Sequence, residues 1–291
     1  MSRENILLPF QFHMLPVRGR VLRLRDVAAH VPSLKNPTAC SQTLAELLAA
    51  AALLAYDTKH EMSVGLQIRH ADLGVLLFAQ CVAKSGGQGG GLRAYANDAA
   101  QGTPFESIVK QPGGIFAVTL ENLVPEGDMP QRYQSFVALQ APTAAGCLAE
   151  YFAQSVQTRT ELLVFANGTD AGAIMLQALP GEDLPNDDWA RLGMILKTIK
   201  TEELLADDAA EDLLAKLFAE DDVSTFAPET PTFAHEDPRP RMLAALASLP
   251  RDELAELQRQ PHVTLTDATS GIAVTFSAED IAHLGDDAGE Q

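Results

Sequence analysis

The chain has 291 residues, of which 46% are hydrophobic and 6% aromatic, with a formal net charge of -18. That is enough apolar material for one large domain or two with a connector, and the acidity argues against nucleic acid or an anionic membrane as a partner. The longest apolar run, residues 47–56, spans ten residues, which suits a core helix and is too short to cross a bilayer.

The N-terminal stretch MSRENILLPFQF is apolar but cut by Pro9, and it carries no small-residue cleavage site. No signal peptide is read there, and a cytoplasmic protein is expected. Residues 17–27 alternate Val21, Leu24 and Val27 with Arg20, Arg23 and Arg25, the pattern of an early strand. A helix follows over 37–56, with Leu44, Leu47, Leu48, Ala51, Leu54 and Ala55 on one face. Strands are expected at 63–68 and 73–82, then at 92–95 after the glycine-rich loop SGGQGGG at 85–91. That loop lacks the Lys-Ser/Thr ending of a phosphate-binding loop and reads as a hairpin turn. Further strands are expected at 114–120 and 133–139, and a helix at 143–157 that buries Leu148, Tyr151, Phe152 and Val156. Strands at 161–166 and 173–179 are joined by NGTDAG, an Asn-Gly turn signal. Helices and strands do not alternate strictly, so the fold class is α+β, with a mixed N-terminal core domain over 1–180.

Residues 180–188 are polar and proline-marked, a domain boundary. Beyond it Trp189, Leu192, Ile195, Leu196 and Ile199 repeat at helical spacing. Asp208 and Glu211 then stand as a capping-box pair ahead of Leu213, Leu214, Leu217 and Phe218, a narrow apolar stripe among acids. A helix with so thin a stripe depends on a neighbouring surface for its stability. Charge changes at the same boundary. Residues 1–180 hold 13 Lys+Arg against 14 Asp+Glu, whereas residues 181–291 hold 8 against 25. Concentrated acid beside a thin stripe suits a segment that stays soluble when it opens. Residues 181–230 are therefore expected to form an acidic helical linker. After the proline-rich break at 227–240, residues 231–291 form a small module. It is expected to hold helices near 241–248 and 251–258, a hairpin of 263–266 with 272–276, and a last helix capped by Ser277 with Asp280.

Catalytic signatures are missing: there is no GxSxG elbow, HExxH helix or dinucleotide fingerprint. Cys40, Cys81 and Cys147 are far apart and form no CxxC pair, which reads as three buried thiols rather than a disulfide framework. The seven histidines, His13, His30, His60, His70, His235, His262 and His283, are scattered and read as structural or surface residues. The acids around 207–211 and 220–222 lack the spacing and glycine of a calcium loop. No enzyme is expected.

Several short runs, weak singly, occur in a telling order: Val17-Arg18-Gly19, Ala45-Glu46-Leu47-Leu48, Cys147-Leu148 with Tyr151-Phe152, TIKTEELL at 198–205, and Asp280-Ile281 after the final hairpin. In this order the chain resembles the heat shock protein 33 family of redox-regulated bacterial holdase chaperones. The resemblance implies a core domain, a helical linker lying on it and a C-terminal switch module. Typical members hold one zinc there through four cysteines, as CxC and CxxC. Oxidation expels the metal, the linker unfolds, and the uncovered apolar surface captures unfolding proteins without ATP. The resemblance also implies a homodimer and hand-over of clients to ATP-driven foldase chaperones.

This chain departs from the pattern where the metal would sit. Counting from Phe233 and Phe276, His235 and Asp237 stand at the CxC positions and Asp267 and Ser270 at the CxxC positions. Structural zinc favours thiolate and imidazole, so no zinc or other cofactor and no thiol switch are expected. Such a zinc contributes on the order of 10–16 kcal/mol to a small metal-dependent module. Without it the module must rest on its hairpin, its helices and its contacts.

The expected function is an ATP-independent holdase that binds unfolding proteins through surface uncovered when the linker loosens. The residues expected to bind clients are Leu204, Leu205, Leu213, Leu214, Leu217, Phe218, Val223 and Phe226. The competing reading is a regulatory or scaffold protein on the same fold that binds one native partner.

Overall fold

The computed structural model describes residues 3–56, 61–84, 90–124, 132–155, 158–234, 237–267 and 272–281. Two compact units divide the chain, Met1–Ala234 and His235–Gln291. The first runs β1 (Ile6–Phe12), β2 (Val17–Leu24), α1 (Val27–His30), α2 (Ser41–Ala55), β3 (Met62–His70), β4 (Val75–Ala83), β5 (Gly91–Ala96), α3 (Asp98–Gly102) and α4 (Phe105–Lys110). It continues with β6 (Gly114–Asn122), β7 (Arg132–Ala138), α5 (Ala144–Ser155), β8 (Thr160–Ala166), β9 (Ala171–Ala178), α6 (Asn186–Leu196), α7 (Thr201–Leu204), α8 (Ala210–Leu217) and β10 (Val223–Thr225). Among the described residues, ten strands make two antiparallel five-stranded sheets, in the orders β10-β1-β2-β9-β8 and β5-β4-β3-β6-β7. This is the α+β class expected from the sequence.

Helix α2 explains how the two sheets are held. Its run of Ala and Leu is apolar on every side, the composition of a helix with no solvent face. It packs against β2, β8 and β9 of the first sheet and β3, β4 and β5 of the second. Leu44, Leu47, Leu48 and every residue from Ala49 to Leu53 are fully enclosed. The first sheet thus spends one of its faces on α2. Its other face needs a separate cover.

Two strands of that sheet were not expected. β1 contains Pro9, which supplies no ladder donor. It is tolerated because β10 pairs only with Phe10–Phe12, and the next contact along that edge is the Leu7–Glu229 bridge. Pro9 falls in the interval between them and accepts a hydrogen bond from the Phe226 amide (2.9 Å). β10 is a three-residue strand at the end of the acidic segment, too short to leave an alternation pattern. Residues 181–230, set apart in sequence as a linker, fold within the first unit as α6, α7, α8 and β10.

The second unit contains α9 (Arg239–Ala247), α10 (Arg251–Gln258) and the antiparallel hairpin β11 (His262–Thr266) with β12 (Ala273–Ser277). Its own small core comprises Met242, Leu246, Leu254, Val263, Phe276 and Ile281. The Ser277 hydroxyl accepts from the Asp280 amide, and the Asp280 carboxylate accepts from the Ser277 amide at 2.7 Å. This is the reciprocal cap read from the sequence. The expected hairpin turn at 268–271 and the glycine loop at 85–89 lie outside the described residues.

Candidate functional site: a covered apolar sheet face

Strand alternation builds the site. Leu7, Leu22, Leu24, Ala173 and Met175 point to the α2 side of the first sheet. Their neighbours Leu8, Phe10 and Phe12 on β1, Val17 and Val21 on β2, and Ile174 and Leu176 on β9 form a second apolar layer on the opposite side. Gly19 belongs to that layer, because a Cβ there would lie 2.2 Å from the Phe10 ring.

A strap of residues 198–226, together with Leu184 and with Leu192 and Leu196 of α6, covers this floor. Leu204, Leu205, Leu213, Leu214 and Phe218 are all 6% exposed or less. Leu217 and Val223 are partly buried against the same layer, whereas Phe226 is 53% exposed and lies outside it. Seven of the eight residues expected to bind clients are therefore seated on the sheet. Phe218 closes an aromatic cluster, edge-on to Phe12 at 4.9 Å and tilted against Phe10 at 5.9 Å. Leu204 and Leu205 rest over Gly172, where a Cβ would lie 2.8 Å from Leu205 Cδ2 and 2.8 Å from the Leu22 carbonyl. Fully burying a side chain of this size contributes roughly 1.5–3 kcal/mol, so the strap is seated more firmly than its narrow stripe suggests.

Arginines hold the turn between α7 and α8. Arg23, on the floor side of β2 and 1% exposed, donates from Nε to the Leu204 carbonyl and from Nη1 to the Asp208 carbonyl. Its Nη2 reaches the Asp208 carboxylate at 3.1 Å. Arg25, also buried, donates to the carbonyls of Leu205 (2.7 Å) and Ala206 (2.6 Å) and to the buried Asp170 carboxylate (2.8 Å). Arg3 joins Asp170 at 2.9 Å and Asp207 at 3.2 Å. The last carbonyls of a helix have no partner within it. Here guanidiniums satisfy those of α7, in charge-assisted bonds about twice as strong as neutral ones. Burial pushes Arg23 below its ordinary pKa, and Asp208 opposes that shift. Partial desolvation raises Asp208, but Lys216 and Arg23 outweigh it and leave the carboxyl below its usual range. A second clamp, the bidentate pair of Arg191 with Asp221 (2.7 and 2.9 Å), ties α6 to the turn after α8.

These ion pairs correct two readings. Asp208 does not cap α8, whose N-cap is Ala209 with no side-chain bond. Its carboxylate serves Arg23 and Lys216 instead. Arg23 and Arg25, read in sequence only as the polar half of an alternation, are buried beneath the strap. No local signal marks them, since their strap partners stand about 180 positions away.

The model of the Hsp33 protein family matches residues 5–276. A 33 kDa chaperonin of Shewanella woodyi is 32% identical over 286 residues, covering 98% of this chain and 96% of that protein. Another, from Pseudomonas paraeruginosa, is 31% identical over 300 residues and covers 100% of this chain and 98% of its own. The chain belongs to the Hsp33 family. Its fold is also that of the 33 kDa chaperonin of Thermotoga maritima, with a TM-score of 0.74, 18% identity and 100% of both chains covered.

Against the zinc pattern that the Hsp33 resemblance implies, this member offers a poor donor set. None of the four positions is a cysteine, and His235 and Ser270 lie outside the described residues. The exposed Asp237 carboxylate accepts from the Arg239 amide at 2.9 Å, opening α9. Asp267 is 7% exposed, and its amide donates to the Ile272 carbonyl at 2.9 Å. Arg239 helps tie the small unit together, lying 5.0 Å from the Phe276 ring centroid and 2.7 Å from Asp280.

The cysteines of this Hsp33 chain are all buried in the first unit. Burial pushes all three thiols up: Cys40 upward, Cys81 strongly, and Cys147 to about 12. The thiolate is the reactive form, and burial disfavours it at all three positions. Among the histidines, His13 Nε2 lies 2.6 Å from Ser224 Oγ and His30 stacks on Phe233 at 4.3 Å. His262 sits exposed on β11. His70 is buried with no hydrogen-bond partner on either ring nitrogen among the described residues. His60 and His283 lie outside those residues. Among the described residues, the histidine rings are not brought to one place as a catalytic group.

Proposed function

We propose that this chain is an ATP-independent holdase that captures unfolding proteins when the strap lifts from the first sheet. One observation carries the reading: the outer apolar face of the first sheet is covered by α6 and the 29-residue strap, short helices and turns at the end of the unit, rather than by a core element. Lifting it uncovers Leu8, Phe10, Phe12, Val17, Val21, Ile174 and Leu176 on the floor, and on the strap the client-binding set Leu204, Leu205, Leu213, Leu214, Leu217, Phe218 and Val223. Phe226, already exposed, extends that set at the rim.

Heat suits this cover as a trigger. Ordering the strap costs about 1–2 kcal/mol per residue in chain entropy, and the term grows with temperature. Control by zinc or thiols has no support from the donor set or from the raised thiol pKa values. The reading therefore needs no cofactor. It carries with it a cytoplasmic location, a homodimer and hand-over of clients to ATP-driven foldases. No described helix is long and apolar enough to cross a membrane.

The test is aggregation of several thermally unfolding proteins, with and without peroxide. Suppression on heating that is independent of peroxide is expected. Activity only after peroxide refutes loss of the oxidative trigger, and no suppression under either condition refutes the holdase.

A further inference from the structure

The uncovered floor is not uniformly apolar. On β2 the same face that carries Val17 and Val21 continues into Arg23, with Arg25 beyond it, and Arg3 stands beside them. A cleft of about 340 Å³ opens at this end, lined by Arg3, Asn5, Arg23, Arg25, Asp207 and Glu211 among others. Asp170 keeps Arg25 and Arg3 paired whatever the strap does, although Arg3 also loses its contact with Asp207 when the strap leaves. Arg23 differs, because the partners given above for it all belong to the strap: the Leu204 and Asp208 carbonyls and the Asp208 carboxylate. Once the strap leaves, a guanidinium stands at the edge of an apolar floor without an acceptor, a costly state in a poorly hydrated place.

We propose that the strap is an internal stand-in for the client, and that the opened floor prefers amphipathic acidic segments, with Leu or Phe at helical spacing beside Asp or Glu. Such a segment repeats what Leu204, Leu205, Asp207, Asp208, Leu213, Leu214 and Phe218 do in the closed chain. Its apolar stripe fills the floor, and its carboxylate with nearby carbonyls replaces the strap at Arg23. This inference rests on the holdase reading and deepens it by naming the class of client.

The experiment titrates the full-length protein, heated to the temperature at which it suppresses aggregation, with two labelled peptides. One carries residues 201–218, and the other carries the same sequence with every Asp and Glu replaced by its amide. The fraction of molecules with a lifted strap scales both apparent affinities equally, so their ratio reports selectivity alone. The acidic peptide is expected to bind about tenfold more tightly, the scale of one charge-assisted hydrogen bond. That ratio should fall toward one in Arg23→Gln, stay near its original value in Arg23→Lys, and shrink with added salt. Binding of the amide peptide shows that the floor of the Arg23→Gln chain is intact. If that chain does not fold, Arg3→Gln, altered at a side chain 37% exposed, should lower the ratio in its place.

Equal affinity for the two peptides overturns the acidic preference and leaves the holdase standing. A preference unchanged in Arg23→Gln, or in Arg3→Gln where that variant replaces it, overturns the assignment to this arginine end. Suppression of aggregation without binding of either peptide puts the client surface elsewhere and overturns the inference. Loss of both suppression and binding removes the holdase reading with it.

Discussion

Asp170 is the residue on which the arginine end balances. It is buried with Arg25, receives Arg3, and accepts from the Asp26 amide at 3.0 Å. Removing one member of a buried ion pair leaves the other uncompensated, at a cost of about 3–5 kcal/mol. Asp170→Asn should therefore lower the unfolding free energy of the first unit, read from urea denaturation, by that much, and a loss under about 1 kcal/mol contradicts the network. In the second unit Asp280 has its carboxyl lowered from 3.8 to about 2 by the Ser277 amide, Arg239 and the Ser277 hydroxyl. A depressed folded pKa places its stabilising effect above the unfolded value, to be lost as pH falls through the folded one. The helical turn at 278–281 should hold its amide protection above pH 4 and lose it toward pH 2, and Asp280→Asn should remove that step. Periodicity reveals such a cap, since its partners are three residues apart. It is silent on Arg23 and Asp170, whose charges are matched only after the chain has folded.

Among the elements, α8 was the most legible. Leu213, Leu214, Leu217 and Phe218 repeat at helical spacing, and all four face the floor. Its start was misjudged, because a carboxylate suited to capping found a guanidinium and an ammonium nearby. β1 was hidden by a proline that only an interrupted edge tolerates, and β10 was hidden by its length. The strap's hold concentrates at Phe218. Truncating a buried Phe to Ala costs about 3–5 kcal/mol, and here much of that loss falls on docking of the strap. Phe218→Ala should bind a hydrophobic dye and suppress client aggregation at a lower temperature than the parent chain. A variant with unchanged dye binding and an unchanged onset temperature contradicts the strap as the gate. Gly172→Ala should also weaken the strap, with the added Cβ lying under both Leu204 and Leu205, while its contact with the Leu22 carbonyl strains the sheet as well.

At the scale of the whole molecule, most of the acidic half's charge among the described residues remains unpaired, while a few carboxylates are used as fixed contacts. Asp207, Asp208 and Asp221 of the acidic half each meet an arginine within the first unit. The second unit contains an apolar cluster with Arg239 against Phe276, and the holdase reading expects no metal at the cysteine positions. A strong chelator should leave its melting and the onset of chaperone activity where they were. A downward shift on metal removal, restored by added zinc, contradicts that expectation.

The hold on the strap turn falls chiefly on backbone oxygens, those of Leu204, Leu205, Ala206 and Asp208. A peptide oxygen is the same whatever residue carries it, and it gains no proton in the range where cells live. The latch is therefore indifferent to acidity, and to the identity of a small residue such as Ala206, so long as the turn keeps its shape. Heat, which acts on the chain's freedom, remains free to release it. Lineages can rewrite the letters of this turn while the lock stays shut.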